Sequence, residues 1–136
     1  MHKHQQRRTS LILLLLTLAL AACATVGDRL DSLQRTLAGF EKAVRWGQFE
    51  AAYSFRRWPP GTPPTLPANL KNIRVTGYDA GSLRLDKESM TAWQVVTIRY
   101  YDLDTSREHS IIHSQEWRYD PEEKRWYLIS EMPEFK

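Results

Sequence analysis

A chain of 136 residues, 42% hydrophobic and 26% charged, has room for one packed domain and too little length for two. Its single cysteine, Cys23, excludes an intramolecular disulfide framework, so an ordinary apolar core must hold the fold. The excess of 19 Lys and Arg over 16 Asp and Glu is no nucleic-acid signature, because Lys3, Arg7 and Arg8 sit in the leading segment and the remainder is formally neutral.

That leading segment has a basic, acid-free head, and Leu11 to Ala22 is apolar apart from Thr17, which is the layout of an export leader. As a helix the apolar run would reach roughly 18 Å, short of the roughly 30 Å hydrocarbon core, so it is not a permanent span. A plain secretory cut after Ala22 prefers a small residue where Leu20 stands. Leu20-Ala21-Ala22-Cys23 resembles instead the lipobox of bacterial lipoproteins. The resemblance implies that residues 1–22 are a cleaved signal peptide, that the Cys23 thiol receives a diacylglyceryl group, and that 23–27 is an acylated tether. Two or three acyl chains anchor firmly where one holds marginally. Ala24 stands where Asp would favour retention in the inner membrane, which implies an outer-membrane location facing the periplasm.

Residues 28–136 read as a single α+β domain. Leu30, Leu33, Leu37, Phe40 and Val44 step by three and four along one helical stripe, with Asp28 or Asp31 as its cap. Gly47 stops that helix, and a second runs from Gln48 to about Arg57, burying Phe49, Ala52 and Tyr53. Five prolines between Pro59 and Pro67 make an extended connector or a docking strip for an aromatic groove. From about 70 to 131 the pattern is that of strands. Ile73–Tyr78 has Gly77 as a candidate bulge, Leu83 and Leu85 prolong it or form a short strand, and Met90–Tyr101, Arg107–Tyr119 and Arg125–Ser130 follow. The short links predict an antiparallel meander. On the strand from Arg107, one face carries His109, Ile111, His113, Gln115, Trp117 and Tyr119; the other is solvated. Trp46, Trp93, Trp117 and Trp126 are most simply core residues, with one or two of them able to rim a pocket.

Helices first, with "RWGQFEAAYSF" at their junction, then a long-stranded sheet closing in "WRYDPEEKRWYLIS", is similar to the nuclear transport factor 2-like fold. The resemblance spans roughly Asp28 to Glu131 and implies helices packed on a curved, cone-like sheet around a pocket. Two helices instead of the three of many members leave a closed cone and a more open, cystatin-like sheet both compatible. Members include ligand binders, isomerases, dehydratases and dimerising scaffolds.

Candidate pocket residues are Tyr53, His109, Ile111, His113, Gln115 and Trp117. His109 and His113 are about 13 Å apart on a strand, too far to share a metal, and no metal or cofactor is expected. Acid–base chemistry would need a carboxylate or His meeting a Tyr, from among Tyr53, Tyr78, Asp79, Tyr100, His109 and His113. Arg56, Arg57 and Trp58 read as a basic end to the second helix with Trp58 packed, the alternative being contact with lipid headgroups or an acidic partner. The expected function is a non-enzymatic binding or scaffolding module; the alternative is an isomerase- or dehydratase-like enzyme. The expected partners are the membrane through the lipid, an envelope protein or small apolar ligand, and a second copy as a homodimer. Nucleic acid is not among them. Mass spectrometry of the cellular product is expected to find a chain that begins at an acylated Cys23. A bare thiol there, or residues 1–22 still attached, would remove the lipoprotein reading.

Overall fold

The structure, a computed structural model, describes residues 26–136. The leader and Cys23 lie outside the described residues. Helix α1 covers 26–45, so Val26 and Gly27, expected in the tether, are already helical. Two compact units meet between Gln34 and Arg35. In the first, Ser32 Oγ donates to the Arg29 carbonyl at 2.9 Å. The second holds the remainder of α1 and everything after it.

Phe40 and Val44 of the helical stripe are fully buried. At its end the Gly47 amide donates to the Val44 carbonyl (3.1 Å) and the Gln48 amide to that of Ala43 (2.8 Å), with Gly47 at φ +67°. This is a Schellman stop, and its left-handed residue is glycine because a Cβ there would be strained. Trp46 is a correction: it is 74% exposed, not core. It falls two residues beyond Val44, some 200° round the helix from the buried stripe.

Helix α2 is only Phe49–Tyr53, not the longer helix expected to Arg57. The chain leaves helical geometry because the backbone of the last strand captures it. Leu128 N–H donates to Phe55 O at 2.8 Å, and Arg57 N–H to Leu128 O at 2.9 Å. The basic cluster therefore serves no helix terminus. Arg57 pairs with Asp120 at 2.5 Å and Glu123 at 3.1 Å and lies 3.8 Å over the Tyr127 ring, while Arg56 reaches Glu131 at 2.6 Å. The proline connector is not extended throughout. Thr62 N–H donates to Pro59 O at 3.1 Å with Gly61 at φ +75°, a tight turn with Pro60 and Gly61 at its centre. A 3-10 turn, Ala68–Asn72, then feeds the sheet.

The strands are β1 (Ile73–Ala80), β2 (Arg84–Asp86), β3 (Thr91–Asp102), β4 (Arg107–Asp120) and β5 (Arg125–Leu128). All pairings are antiparallel, in the order β1-β3-β4-β5, with β2 also on β3. The domain from Arg35 is thus α+β, with helix packed on a strongly curled sheet. The β1–β3 register shifts between Val75 and Gly77, the expected bulge. A Cβ on Gly77 would overlap the Arg99 guanidinium, the movable end of a half-exposed side chain that pairs with Asp79 at 3.1 Å.

One device builds three hairpin turns. Asp86 accepts from the Glu88 amide (2.9 Å), Asp102 from that of Asp104 (2.8 Å) and Asp120 from that of Glu122 (2.9 Å). Four residues after each aspartate the backbone turns left-handed, at Met90, Ser106 and Lys124. The carboxylates satisfy the turn amides.

The core is aromatic where helix meets sheet. Phe40 sits edge-on to Trp117 at 5.3 Å and to Phe55 at 5.8 Å. Trp117 and Trp126 are fully buried as expected, and the tail contributes Phe135. Phe40→Ala is expected to cost about 3–5 kcal/mol in urea denaturation, against less than about 0.5 kcal/mol for Trp46→Ala.

Candidate functional site

The expected pocket row on β4 faces inward, and its period-2 alternation fixes that. Ile112 on the opposite face is 75% exposed, while His113, Gln115 and Trp117 are buried. Proton bookkeeping orders these three. Trp117 Nε1–H can only donate, and it donates to Gln115 Oε1 at 3.0 Å. The Gln115 amide nitrogen must then face the other way, giving hydrogens to the Tyr78 hydroxyl (2.9 Å) and to His113 Nδ1 (3.2 Å). With Nδ1 accepting, His113 carries its proton on Nε2 and donates it to the Glu131 carbonyl at 2.8 Å. Burial lowers the His113 pKa, with the Glu131 carbonyl pulling partly back. Burial likewise pushes the Tyr78 hydroxyl up to about 12. The result is a neutral hydrogen-bonded chain walled by Phe40.

The remaining candidates lie around a strap formed by Glu131–Lys136. Tyr100 OH donates to Lys136 O (2.9 Å) and accepts from its amide (3.0 Å), Asn69 Nδ2 donates to Phe135 O (2.8 Å), and Phe135 packs edge-on against Phe49 and Tyr100. The strap borders two depressions. One, of about 520 Å³, is lined by Tyr100, His109, Ile111 and His113. The other, of about 480 Å³, is lined by Tyr53, Arg56, Trp58 and Leu70. Tyr53 stacks on Trp58 with centroids 5.7 Å apart, and burial raises its pKa against a smaller pull from Arg56. His109 stacks on Tyr100 at 5.2 Å, and its buried Nε2 has no hydrogen-bond partner among the described residues.

The six candidates therefore do not share one cavity. Gln115 and Trp117 belong to the packed interior, His109, Ile111 and His113 to one depression, and Tyr53 to the other. Tyr78 and His113 meet only through Gln115, and Asp79 faces outward onto Arg99. Among the described residues no three His, Cys, Asp or Glu side chains gather as metal ligands.

A larger open volume of about 640 Å³ lies elsewhere, in a groove between α2 and the start of β1. Phe49, Leu70 and Ile73 are its buried apolar members, and Leu66 and Ala51 extend it. Lys71 and Arg74 stand on one side and Glu50 on the other. Exposed Trp46 is the neighbour of groove-lining Gly47. Sequence reading found the helix break and the burial of Phe49 but not this groove, whose walls come from segments some 20 residues apart. The signal available in the sequence was a tryptophan off the apolar helical stripe, directly before the Gly47 stop. No protein-family model, curated protein or solved structure matches the chain.

The buried imidazole sets a pH dependence. The folded chain resists a proton that the unfolded chain accepts, so stability is full above the ordinary histidine value of 6.5. It falls as pH drops through 6.5 toward the lower folded value. Asp120 and Glu123, held low by turn, Tyr127 and Arg57 hydrogen bonds, lose their contributions only below the ordinary 3.8 and 4.5. Melting temperature is expected to fall between pH 7 and 5 in the wild type, and less steeply in His113→Gln. Parallel curves would show that His113 is not the titrating group.

Proposed function

We propose that the protein is a lipid-anchored envelope module, tethered at Cys23 to the outer membrane, facing the periplasm and binding a small apolar ligand without catalysis. The scaffold is read as nuclear transport factor 2-like, a reading supported by the curled antiparallel sheet with the part of α1 from Arg35 onward packed on it. The ligand site is the groove between α2 and β1. One observation carries this: its apolar members include three side chains of the buried core, Phe49, Leu70 and Ile73, at an open volume within the range of ligand pockets. Part of the inner row of β4 supports the same choice, because His113, Gln115 and Trp117 bond to one another, to Tyr78 and to the strap. Buried polar groups satisfied in this way are costly to unmake, at about 1–3 kcal/mol for each one left without a partner.

Titration of the full chain with long-chain alcohols carrying bromine is expected to quench Trp46 and raise the melting temperature. Leu66→Glu should weaken both effects about tenfold or more. The Trp46→Phe variant assigns the quenched signal. Failure of every apolar ligand class to shift emission or melting would remove the groove as a site.

A further inference from the structure

The sheet has one unguarded edge. β5 pairs with β4 only from Trp117 to Asp120, and its own outer side is taken by the backbone of Phe55 and Arg57. The rest of β4, from Arg107 to Ser114, has β3 on one side and, among the described residues, no strand on the other. Two bonds give the phase of that edge. Tyr119 N–H donates to Met90 O at 3.1 Å, toward β3, and Glu116 O accepts from Ile129 N–H at 2.8 Å, away from it. An antiparallel ladder turns the backbone groups of successive residues to opposite sides. Those of Glu108, Ser110, Ile112 and Ser114 therefore face outward, and among the described residues none has a backbone partner. The strap does not cover them. It lines the same depression as Ser110, Ile112 and Ser114, but it ends on Tyr100 of β3, across the inner face.

An exposed edge is ordinarily blunted by a bulge, a proline or a lysine. β1, at the far side of the sheet, has its bulge between Val75 and Gly77. β4 keeps an unbroken register with β3 from Arg107 to Arg118 and holds neither proline nor lysine. On its outer face Ile112 is 75% exposed, with Val95, 52% exposed, diagonal to it on β3.

We propose that this edge pairs with the same edge of a second copy, antiparallel about a twofold axis at Ile111, so that two sheets join into one. The stretch selects its own register. Centred on Ile111, Ser110 stands opposite the partner's Ile112 and Glu108 opposite the partner's Ser114, so every outward group on both chains is bonded, in roughly eight hydrogen bonds. No like charges stand opposite one another, and the two Ile112 side chains become diagonal neighbours in a stripe that continues to Val95 on either side. Centred on Ile112, Glu108 would oppose Glu116 and the copy would run into Ile129, which already holds Glu116. Centred on Ser110, Ser114 would face Ser106, which has left the strand at φ +54°. Pairing with β1 would meet the bulge, whereas the same edge on both chains closes at two copies. The chain itself thus supplies a strand of matching length, with the apolar neighbour that Ile112 lacks in the monomer.

The test uses the full chain in detergent micelles, with its mass measured and amide hydrogen exchange read by NMR. A dimer is expected, in which the amides of Glu108, Ser110, Ile112 and Ser114 are protected along with the intervening ones that bond to β3. Ile112→Lys, at a position the monomer leaves exposed, should weaken the dimer about tenfold and expose only that outward set. Register is read by oxidising cysteine variants and identifying the linked peptides by mass spectrometry. Ile111→Cys should link to itself, because a facing pair without hydrogen bonds brings Cα atoms to about 4.5 Å. His109→Cys should not, since the two copies of that residue lie about 13 Å apart. A dimer whose outward amides exchange freely would overturn the edge as the interface. Self-linking at 109 in place of 111 would overturn the register, and a chain monomeric at every concentration reached would overturn the proposal.

Discussion

The indole of Trp117 is the constraint on which the interior depends. Fully buried, it must give its N–H to an acceptor, and the one within reach on its own face of β4 is Gln115. That choice propagates. The Gln115 amide nitrogen, turned the other way, can only donate, which fixes Tyr78 as an acceptor, His113 as the Nε2–H tautomer, and Glu131 as the carbonyl that receives it. Phe40 closes the same site edge-on from the helix side, so helix, sheet and strap are registered by one aromatic and polar cluster. Each link satisfies a group that would otherwise be buried alone.

This cluster explains why the concave side of the sheet is occupied and the open groove lies beyond it. Strap and groove nonetheless share a wall. Phe49 lines the groove and also packs edge-on against Phe135 at 5.4 Å, and Phe135 in turn lies against Tyr100. The groove's floor is thus braced from behind by the segment that covers the sheet.

What was legible in the sequence was whatever a local period or a local bond decides. The β4 faces follow from alternation alone, the stop at Gly47 from its tolerance of positive φ, and the hairpins from aspartates that bond their own turns. Gly77 could be marked as a bulge because it interrupts a β-branched run, though only the structure shows that the Arg99 guanidinium lies over it. Trp46 was misplaced by composition, since its aromatic character outweighed a helical phase that puts it outside the stripe. The early end of α2 was not legible because backbone groups of Phe55 and Arg57 are claimed by Leu128, over 70 residues later. The same non-locality hid the strap and the groove, which exist only once distant segments meet. The family comparison drawn from element order concerns layout, and layout does not distribute side chains between interior and cavity.

The left-handed residues of the three hairpins carry a further consequence. Met90, Ser106 and Lys124 all bear side chains at positive φ, where the Cβ crowds its own carbonyl at a cost of roughly 1–2 kcal/mol each. Ser106 and Lys124 are exposed, so nothing there is packed that glycine would forfeit. The fold therefore holds unused stability at these loops, open to directed evolution toward heat tolerance through glycine at Ser106 and Lys124.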